Sequence, residues 1–375
     1  MLFKILKALF LLQFSIKRPQ KSKLVIFDKS GSELIEKYFK EIKLSYHIID
    51  TRLESFNLYI LLKLILAREP LTFRNYIILY LKTLDCSTII SGIENNLLFL
   101  TLKKFLKEKR FICVQQAWRN SKFFENKLKN LQNAELDVMF TFNKKFSDTF
   151  SQFIKSKFIE IGSFKNNHTL KTKSSNSNSI GFVSEISIGS KKKFLNLSNY
   201  KVKSEDFYST DIKLIQIISN YCTLNKINFK IIGKYDYKWE KKFYENILKD
   251  TDFTFIPNYK DRDVYKICDN MDLLIGTFST LLLENLSRGN KTLVFNTKIK
   301  PVNDLNFHIF FPNNIDRDGD FWTDSIDKNK VNEYLEKYYF MEKNLWNSIL
   351  ENNKNLIIKF NPGNNIFKKS LGDFI

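Results

Sequence analysis

The run Asp272-Leu273-Leu274-Ile275-Gly276-Thr277-Phe278-Ser279-Thr280-Leu281-Leu282-Leu283-Glu284-Asn285-Leu286-Ser287-Arg288-Gly289 holds a complete strand, turn and helix. Leu273 to Ile275 is an apolar stretch closed by Gly276, the pattern of a strand buried on both faces of a parallel sheet. A helix opens near Ser279 and ends at Gly289, a residue type suited to a left-handed cap. Hydroxyls and unpaired backbone amides at such a helix start, aided by the positive end of the helix dipole, make an anion site that fits a diphosphate. Glu284 follows a little over one turn later in an otherwise apolar helix. A carboxylate there costs free energy unless it meets a partner, and the two hydroxyls of a ribose would be one. Asn290-Lys291 then turns the chain into the next strand, Thr292-Leu293-Val294-Phe295.

The same alternation extends toward the N-terminus. Ile180-Gly181-Phe182-Val183, Phe229-Lys230-Ile231-Ile232 and Phe253-Thr254-Phe255-Ile256 read as strands, with a helix over Asp211 to Tyr221. Before them, residues 163–179 are Asn, Ser, Lys and Thr with almost nothing apolar, which reads as an interdomain linker. Further upstream, Leu24 to Phe27, Tyr46 to Ile49, Thr88 to Ile90, Phe111 to Val114, Val138 to Phe140 and Phe158 to Ile161 alternate with helical periodicity. Short apolar strands separated by helices predict parallel sheets covered on both faces. The expected organisation is therefore a basic amphipathic segment over 1–22, a first Rossmann-like domain over 23–162, the linker, a second over 180–330, and a helical segment over 331–375 that returns to the first domain. Two doubly wound halves place ligands beyond the carboxyl ends of their strands.

Composition narrows the function. The chain has 375 residues, 43% hydrophobic, with 36 Phe and 16 Tyr, enough for two cores of ordinary size. Only 11 Gly and 6 Pro argue against fibrous and repeat classes. A net charge of +20 suggests nucleic acid, but the lysines are spread along the chain and no zinc-finger or aromatic–glycine RNA-reading motif accompanies them. What the charge does favour is attraction to anions, including phosphates, acidic glycans and anionic membranes. Cys86, Cys113, Cys222 and Cys268 are isolated, as expected of buried thiols in a cytoplasmic protein. Leu2 to Leu12 is apolar but interrupted by Lys4 and Lys7 and followed by Lys17, Arg18, Lys21 and Lys23. That pattern is too short to span a bilayer and suits either an interfacial helix on the inner membrane face or a helix packed on the domain.

The segment around Ser279 resembles the S-T-L-x-x-E-x-x-x-x-G element of bacterial GT-B glycosyltransferases that build O-antigen and capsule, with Ser279, Thr280, Glu284 and Gly289 matching position by position. The resemblance implies a GT-B fold, two Rossmann-like doubly wound domains facing across a cleft with C-terminal helices crossing back. It also implies that Ser279 and Thr280 hold the donor phosphate and that Glu284 holds the ribose. Gly181-Phe182-Val183-Ser184-Glu185 is similar to the family's first donor-domain loop, with Ser184 near the diphosphate. Ile231-Ile232-Gly233-Lys234 is similar to its strand ending in Gly and a phosphate-facing base, and Asp263 to Asp269 to the short helix bracketing the nucleobase. Val114-Gln115-Gln116-Ala117-Trp118-Arg119 resembles a V-Q-N-G-x-R acceptor-side turn through Gln115 and Arg119, but Gln116 and Ala117 stand where that turn has Asn and Gly.

Each element has a plain structural reading as well. Ser279-Thr280 suits an N-cap, Glu284 a solvent-facing position, and Gly233-Lys234 an ordinary strand end. The functional reading rests on the ordered set. Asp261-Arg262-Asp263 has the spacing of a metal-binding carboxylate pair but reads better as a helix start. Asp316 to Asp320 departs from a calcium loop, and His47, His168 and His308 form no cluster, so neither metal nor cofactor is expected beyond the nucleotide sugar as substrate. An inverting reaction needs a base, for which Asp28, after the first strand, and Glu94, in Ser91-Gly92-Ile93-Glu94, are the candidates; a retaining reaction needs none. The expected function is transfer of sugar from a nucleotide donor to a lipid-linked or growing surface polysaccharide. The alternatives are transfer of a Kdo-like sugar or polyol phosphate from a cytidine nucleotide, and a catalytically silent nucleotide-sugar-binding protein.

Overall fold

The computed structural model describes residues 14–51, 56–172, 177–186, 192–197, 200–234, 238–249, 251–258 and 263–374. Most of the expected membrane-contacting segment, residues 1–13, lies outside them, as do Asp261 and Arg262. The chain divides into two compact units. Unit 1 comprises Met1–Gln116, Lys127–Lys165 and Asn364–Ile375, and unit 2 comprises Ala117–Asn126 and Asn166–Gly363.

Unit 1 contains β1 (Phe14–Ser15), β2 (Leu24–Phe27), β3 (His47–Ile49), β4 (Phe56–Asn57), β5 (Thr88–Ser91), β6 (Arg110–Val114), β7 (Glu135–Thr141) and β8 (Lys155–Glu160). Six of them form one sheet in the order β3-β2-β5-β6-β7-β8, every neighbour parallel. The apolar runs of β2 and β5 are buried along their whole length, as strands covered on both faces must be. Asparagine, abundant in this chain, begins the intervening helices: the side chains of Asn57, Asn96 and Asn143 accept from the amides of Ile60, Phe99 and Phe146. Each such cap is worth about 1 kcal/mol. Ile26, Ile90, Ile112, Val138 and Phe140 form the core, which Phe39 closes from the helix Glu33–Glu41 and Phe367 and Leu371 from the helix Asn365–Gly372.

Strand order reverses between β2 and β5, the place where open α/β sheets bind ligands. There the loops after the two strands touch backbone to backbone. A Cβ on Gly92 would stand 2.5 Å from the carbonyl oxygen of Gly31, and Gly31 itself has φ +77°; neither position has room or conformation for a larger residue.

Unit 2 contains β9 (Ser179–Val183), β10 (Phe194–Leu197), β11 (Tyr200–Lys203), β12 (Asn228–Ile232), β13 (Thr254–Ile256), β14 (Leu273–Gly276), β15 (Thr292–Phe295) and β16 (Trp322–Thr323). Its main sheet has the order β13-β12-β9-β14-β15-β16, again all parallel. This is the doubly wound order of a dinucleotide-binding domain, and its switch point lies between β9 and β14. The long helix Ser204–Leu224 packs Leu214, Ile215, Ile218 and Cys222 onto the sheet. All four cysteines are free and buried.

Two boundaries differ from the sequence reading. The return to unit 1 is shorter than 331–375. The helices Lys328–Tyr339 and Lys343–Asn352 belong to unit 2, tied there by Tyr221 donating to Glu336 at 2.7 Å and by the Trp346 indole donating to the Gly289 carbonyl at 3.3 Å. Only Asn364–Ile375 joins unit 1, where Phe367 has an apolar seat. The first domain, read as continuous over 23–162, also yields Ala117–Asn126 to unit 2. Within the polar stretch expected as a linker, Asn166 and Asn167 turn inward. The helix Phe164–His168 buries Asn166 and Asn167 completely, and Asn166 donates to the Ser287 hydroxyl at 2.9 Å.

Candidate functional site

Three strand ends of unit 2 converge at its switch point. β9 runs into Ser184-Glu185, β12 into Gly233-Lys234, and β14 into Thr277-Phe278-Ser279. They surround a cavity of about 280 Å³ whose polar lining is Glu185, Lys234, Ser279 and Thr280 and whose apolar side is Trp118, Phe278 and Ile309.

Ser279 occupies the cap position of the helix Thr280–Ser287 in an extended conformation, φ −146°, yet its side chain makes no cap hydrogen bond. The hydroxyl instead reaches the carboxyl of Glu185, and the amides of a helix's first turn have no partner within the helix. The Thr280 hydroxyl accepts from the Trp118 amide at 3.3 Å, so its own proton remains available to another acceptor. Lys234 supplies the positive charge. Its ammonium lies 3.4 Å from Glu185 and its side chain is 39% exposed, against 12% for Glu185. Burial pushes the Glu185 carboxyl up to about 7, opposed by the pull of the Lys234 ammonium. The apolar wall is rigid: Phe278 stacks on Phe307 with ring centres 4.5 Å apart, and Trp118 meets Phe278 edge-on at 4.8 Å.

The opposite end of the same helix is anchored by a buried ion pair. The Arg288 guanidinium, wholly buried, donates through Nε to Asp269 Oδ1 at 2.8 Å and through Nη2 to Asp269 Oδ2. Its Nη1 donates to Asn166 Oδ1 at 3.2 Å and to the Thr169 carbonyl at 3.0 Å.

The other sequence candidates are placed as follows. Glu284 is 5% exposed and does not line the cavity; the Tyr265 hydroxyl bonds its carboxylate. Burial first, and that carboxylate second, hold the Tyr265 hydroxyl well above its ordinary value, so it stays a donor. The Ser184 hydroxyl points away from the cavity residues into the unit, donating to Glu240 Oε1 at 2.5 Å and accepting from Tyr244 at 2.7 Å. Alternation along the chain gives the cavity to its neighbour Glu185, which the sequence reading quoted without selecting. Gly233 is required by packing, since a Cβ there would meet the Phe255 ring at 2.6 Å. Asp263 caps the helix Val264–Asp269 through the amides of Tyr265 and Lys266. Gln115 stays in unit 1, where its side-chain oxygen accepts from the Phe142 amide at 3.0 Å; Arg119 belongs to unit 2 and lies over the Phe123 ring. Asp28 and Glu94 stand at the switch point of unit 1. Asp28 is buried, with φ +78°, and accepts from the Thr51 hydroxyl at 2.8 Å; Glu94 is fully buried and accepts from the Gln116 amide at 3.0 Å. Among the described residues no group of three or more His, Cys, Asp or Glu is placed to hold a metal ion.

Solved structures share this architecture. The wall teichoic acid polymerase TagF superposes with a TM-score of 0.53 at 12% identity, over 94% of this chain and 88% of that one; a TagF variant soaked with CDPG gives 0.51 at 11%, over the same shares. The UDP-GlcNAc 2-epimerase of Methanocaldococcus jannaschii, in complex with UDP-GlcNAc and UDP, gives 0.50 at 11%, over 93% and 99%. The fold class is thus GT-B, two doubly wound α/β units in one chain. No curated protein sequence matches the chain. The family model described as "putative O-antigen biosynthesis protein" matches residues 112–374, and the chain belongs to that family.

Proposed function

We propose that the protein is a glycosyltransferase that moves a sugar from a nucleotide donor to a lipid-linked or growing surface polysaccharide, with the donor diphosphate in the cavity at Ser279. The observation that carries this is the helix start itself. Its cap hydroxyl is not spent on the helix, Ser279 and Thr280 line a cavity at the switch point, and Lys234 lines the same cavity. Such an arrangement stabilises the negative charge that grows on a departing diphosphate, through fixed donors that need no reorganisation. Trp118 and Phe278 offer an apolar face to the rest of the donor. Glu284, fixed by Tyr265, keeps acceptor capacity for ribose hydroxyls. In an inverting reaction the base is assigned to the pair Asp28 and Glu94 of unit 1. Family membership supports the surface-glycan context.

A second reading, transfer of a polyol phosphate or Kdo-like sugar from a cytidine nucleotide, draws support from the likeness to TagF. No helix among the described residues is long and apolar enough to cross a membrane; work at the inner membrane face, reached through the N-terminal basic segment, is part of the proposal. Nucleotide release from a panel of UDP-, GDP- and CDP-linked donors separates these readings. Turnover of a UDP- or GDP-sugar supports the first and of CDP-glycerol the second. Binding without release would mean a silent binder, and no binding by any member would end all three.

Glu284→Ala is expected to weaken nucleotide binding about tenfold, the order of one good hydrogen bond to a charged group, with Tyr265→Phe costing less because the carboxylate survives. Calorimetry on both variants checks this; equal affinity in Glu284→Ala and parent would remove the ribose role.

A further inference from the structure

The cavity contains a group that a phosphate site would ordinarily exclude. Glu185 faces the same space as Ser279, Thr280 and Lys234, and a second anion brought against an ionised carboxylate at hydrogen-bonding range is strongly repelled. Among the described residues Lys234 is the cation paired with it, and that ammonium is already engaged with Glu185 at 3.4 Å. Lys298 cannot take its place, since it is buried in an ion pair with Asp211 at 2.6 Å and also donates to Thr210 at 3.3 Å. We infer that Glu185 is a ligand of the donor diphosphate in its neutral carboxylic acid form, donating its O–H to a phosphate oxygen while Lys234 turns its charge to the same anion.

The surroundings of Glu185 favour that form. Burial acts first, and Asp211, on the helix Ser204–Leu224, adds like charge; Tyr244, on the helix Lys238–Ile247, is a neutral hydroxyl that donates to Ser184. The Lys234 ammonium, the hydrogen bond from the Ser279 hydroxyl and, further off, Lys298 pull the other way. The result is a carboxyl that is neutral below about 7 and charged above it. An arriving diphosphate adds negative charge and raises that value further. Binding therefore takes up a proton from solvent, and the competent form is lost as pH rises through neutrality. An ordinary exposed glutamate, ionised throughout this range, would produce no such coupling.

This inference rests on the nucleotide reading of the cavity, and the test keeps the two apart. Calorimetry with UDP-GlcNAc and CDP-glycerol, whose diphosphate diesters do not themselves titrate near neutrality, is run in buffers of different ionisation enthalpy between pH 6 and 9. The parent is expected to take up well over half a proton per nucleotide at pH 7.5, and its affinity to fall by up to tenfold per pH unit above 7. Glu185→Gln, whose amide is a donor at every pH, is expected to take up none and to bind at pH 8.5 at least as well as the parent. Should Glu185→Gln not fold, the proton count of the parent decides alone. Binding with no proton uptake, or with the same pH slope in Glu185→Gln, overturns the role of Glu185 and leaves the nucleotide site standing. No binding of either probe at any pH overturns both.

Discussion

Arg288→Met is expected to lower the stability of unit 2 by about 3–5 kcal/mol, the usual consequence of removing one partner of a buried ion pair. Neither side chain of the Arg288–Asp269 pair reaches solvent. Methionine fills most of the volume but returns none of the hydrogen bonds to Asp269, Asn166 or the Thr169 carbonyl. Asp269 would keep the Asn290 amide at 2.8 Å and the Thr172 backbone amide at 3.0 Å, but lose the guanidinium that pairs with it. Although burial pushes its pKa up, the Arg288 and Asn290 hydrogen bonds carry it below the ordinary carboxylate value. Without Arg288 the burial effect dominates and the buried charge becomes a liability. The guanidinium also lies over the Phe360 ring, 4.9 Å from its centre, a contact methionine replaces only in part. Urea denaturation of parent and variant measures the loss. Adding Asp269→Leu to Arg288→Met should recover part of it, because no charge is then left buried. A loss below about 1 kcal/mol would mean that the pair is not the anchor described here.

Ser279→Asp should abolish nucleotide binding while leaving the fold intact. Aspartate is among the best N-cap residues and favours a helix start through the dipole, so the helix Thr280–Ser287 is expected to keep or gain stability. The same carboxylate places a negative charge where the diphosphate is to rest, in a cavity of about 280 Å³ whose lining cation among the described residues is Lys234. Two like charges about 4 Å apart at an effective dielectric of about 20 repel by about 4 kcal/mol, so an affinity loss of 100-fold or more follows after screening. Ser279→Asn, which caps equally well without charge, should stay within about tenfold of the parent. Thermal melts and calorimetry on the pair separate folding from binding; a Ser279→Asp protein that binds like the parent would show that the phosphate sits elsewhere.

Most of the sheet framework is legible in the sequence because parallel strands are buried on both faces and appear as unbroken apolar runs such as Leu24 to Phe27 and Leu273 to Ile275. What escapes is structure whose signal is shared with something else. In the β10–β11 hairpin, Tyr200 and Val202 alternate with Lys201 and Lys203, but the lysines there blend into a chain rich in lysine throughout. Asn166 and Asn167 look like linker residues because composition does not distinguish an asparagine bonded in a core from one in water. The polar site is divided in the same way. Ser279, Thr280 and Lys234 could be named because hydroxyls at a helix start and a base after a strand have few other meanings together. Glu185 could not, since which of two adjacent polar residues faces a cavity depends on the phase of the strand before it, here fixed by β9 turning Ser184 toward Glu240 and Tyr244.

Everything functional depends on whether a diphosphate rests at the start of the helix Thr280–Ser287. A crystal structure of the protein soaked with UDP-GlcNAc or CDP-glycerol tests this most directly. Phosphate oxygens are expected within about 3 Å of the hydroxyls of Ser279 and Thr280 and of the Lys234 ammonium. A nucleotide bound with its phosphates away from these three groups would contradict it.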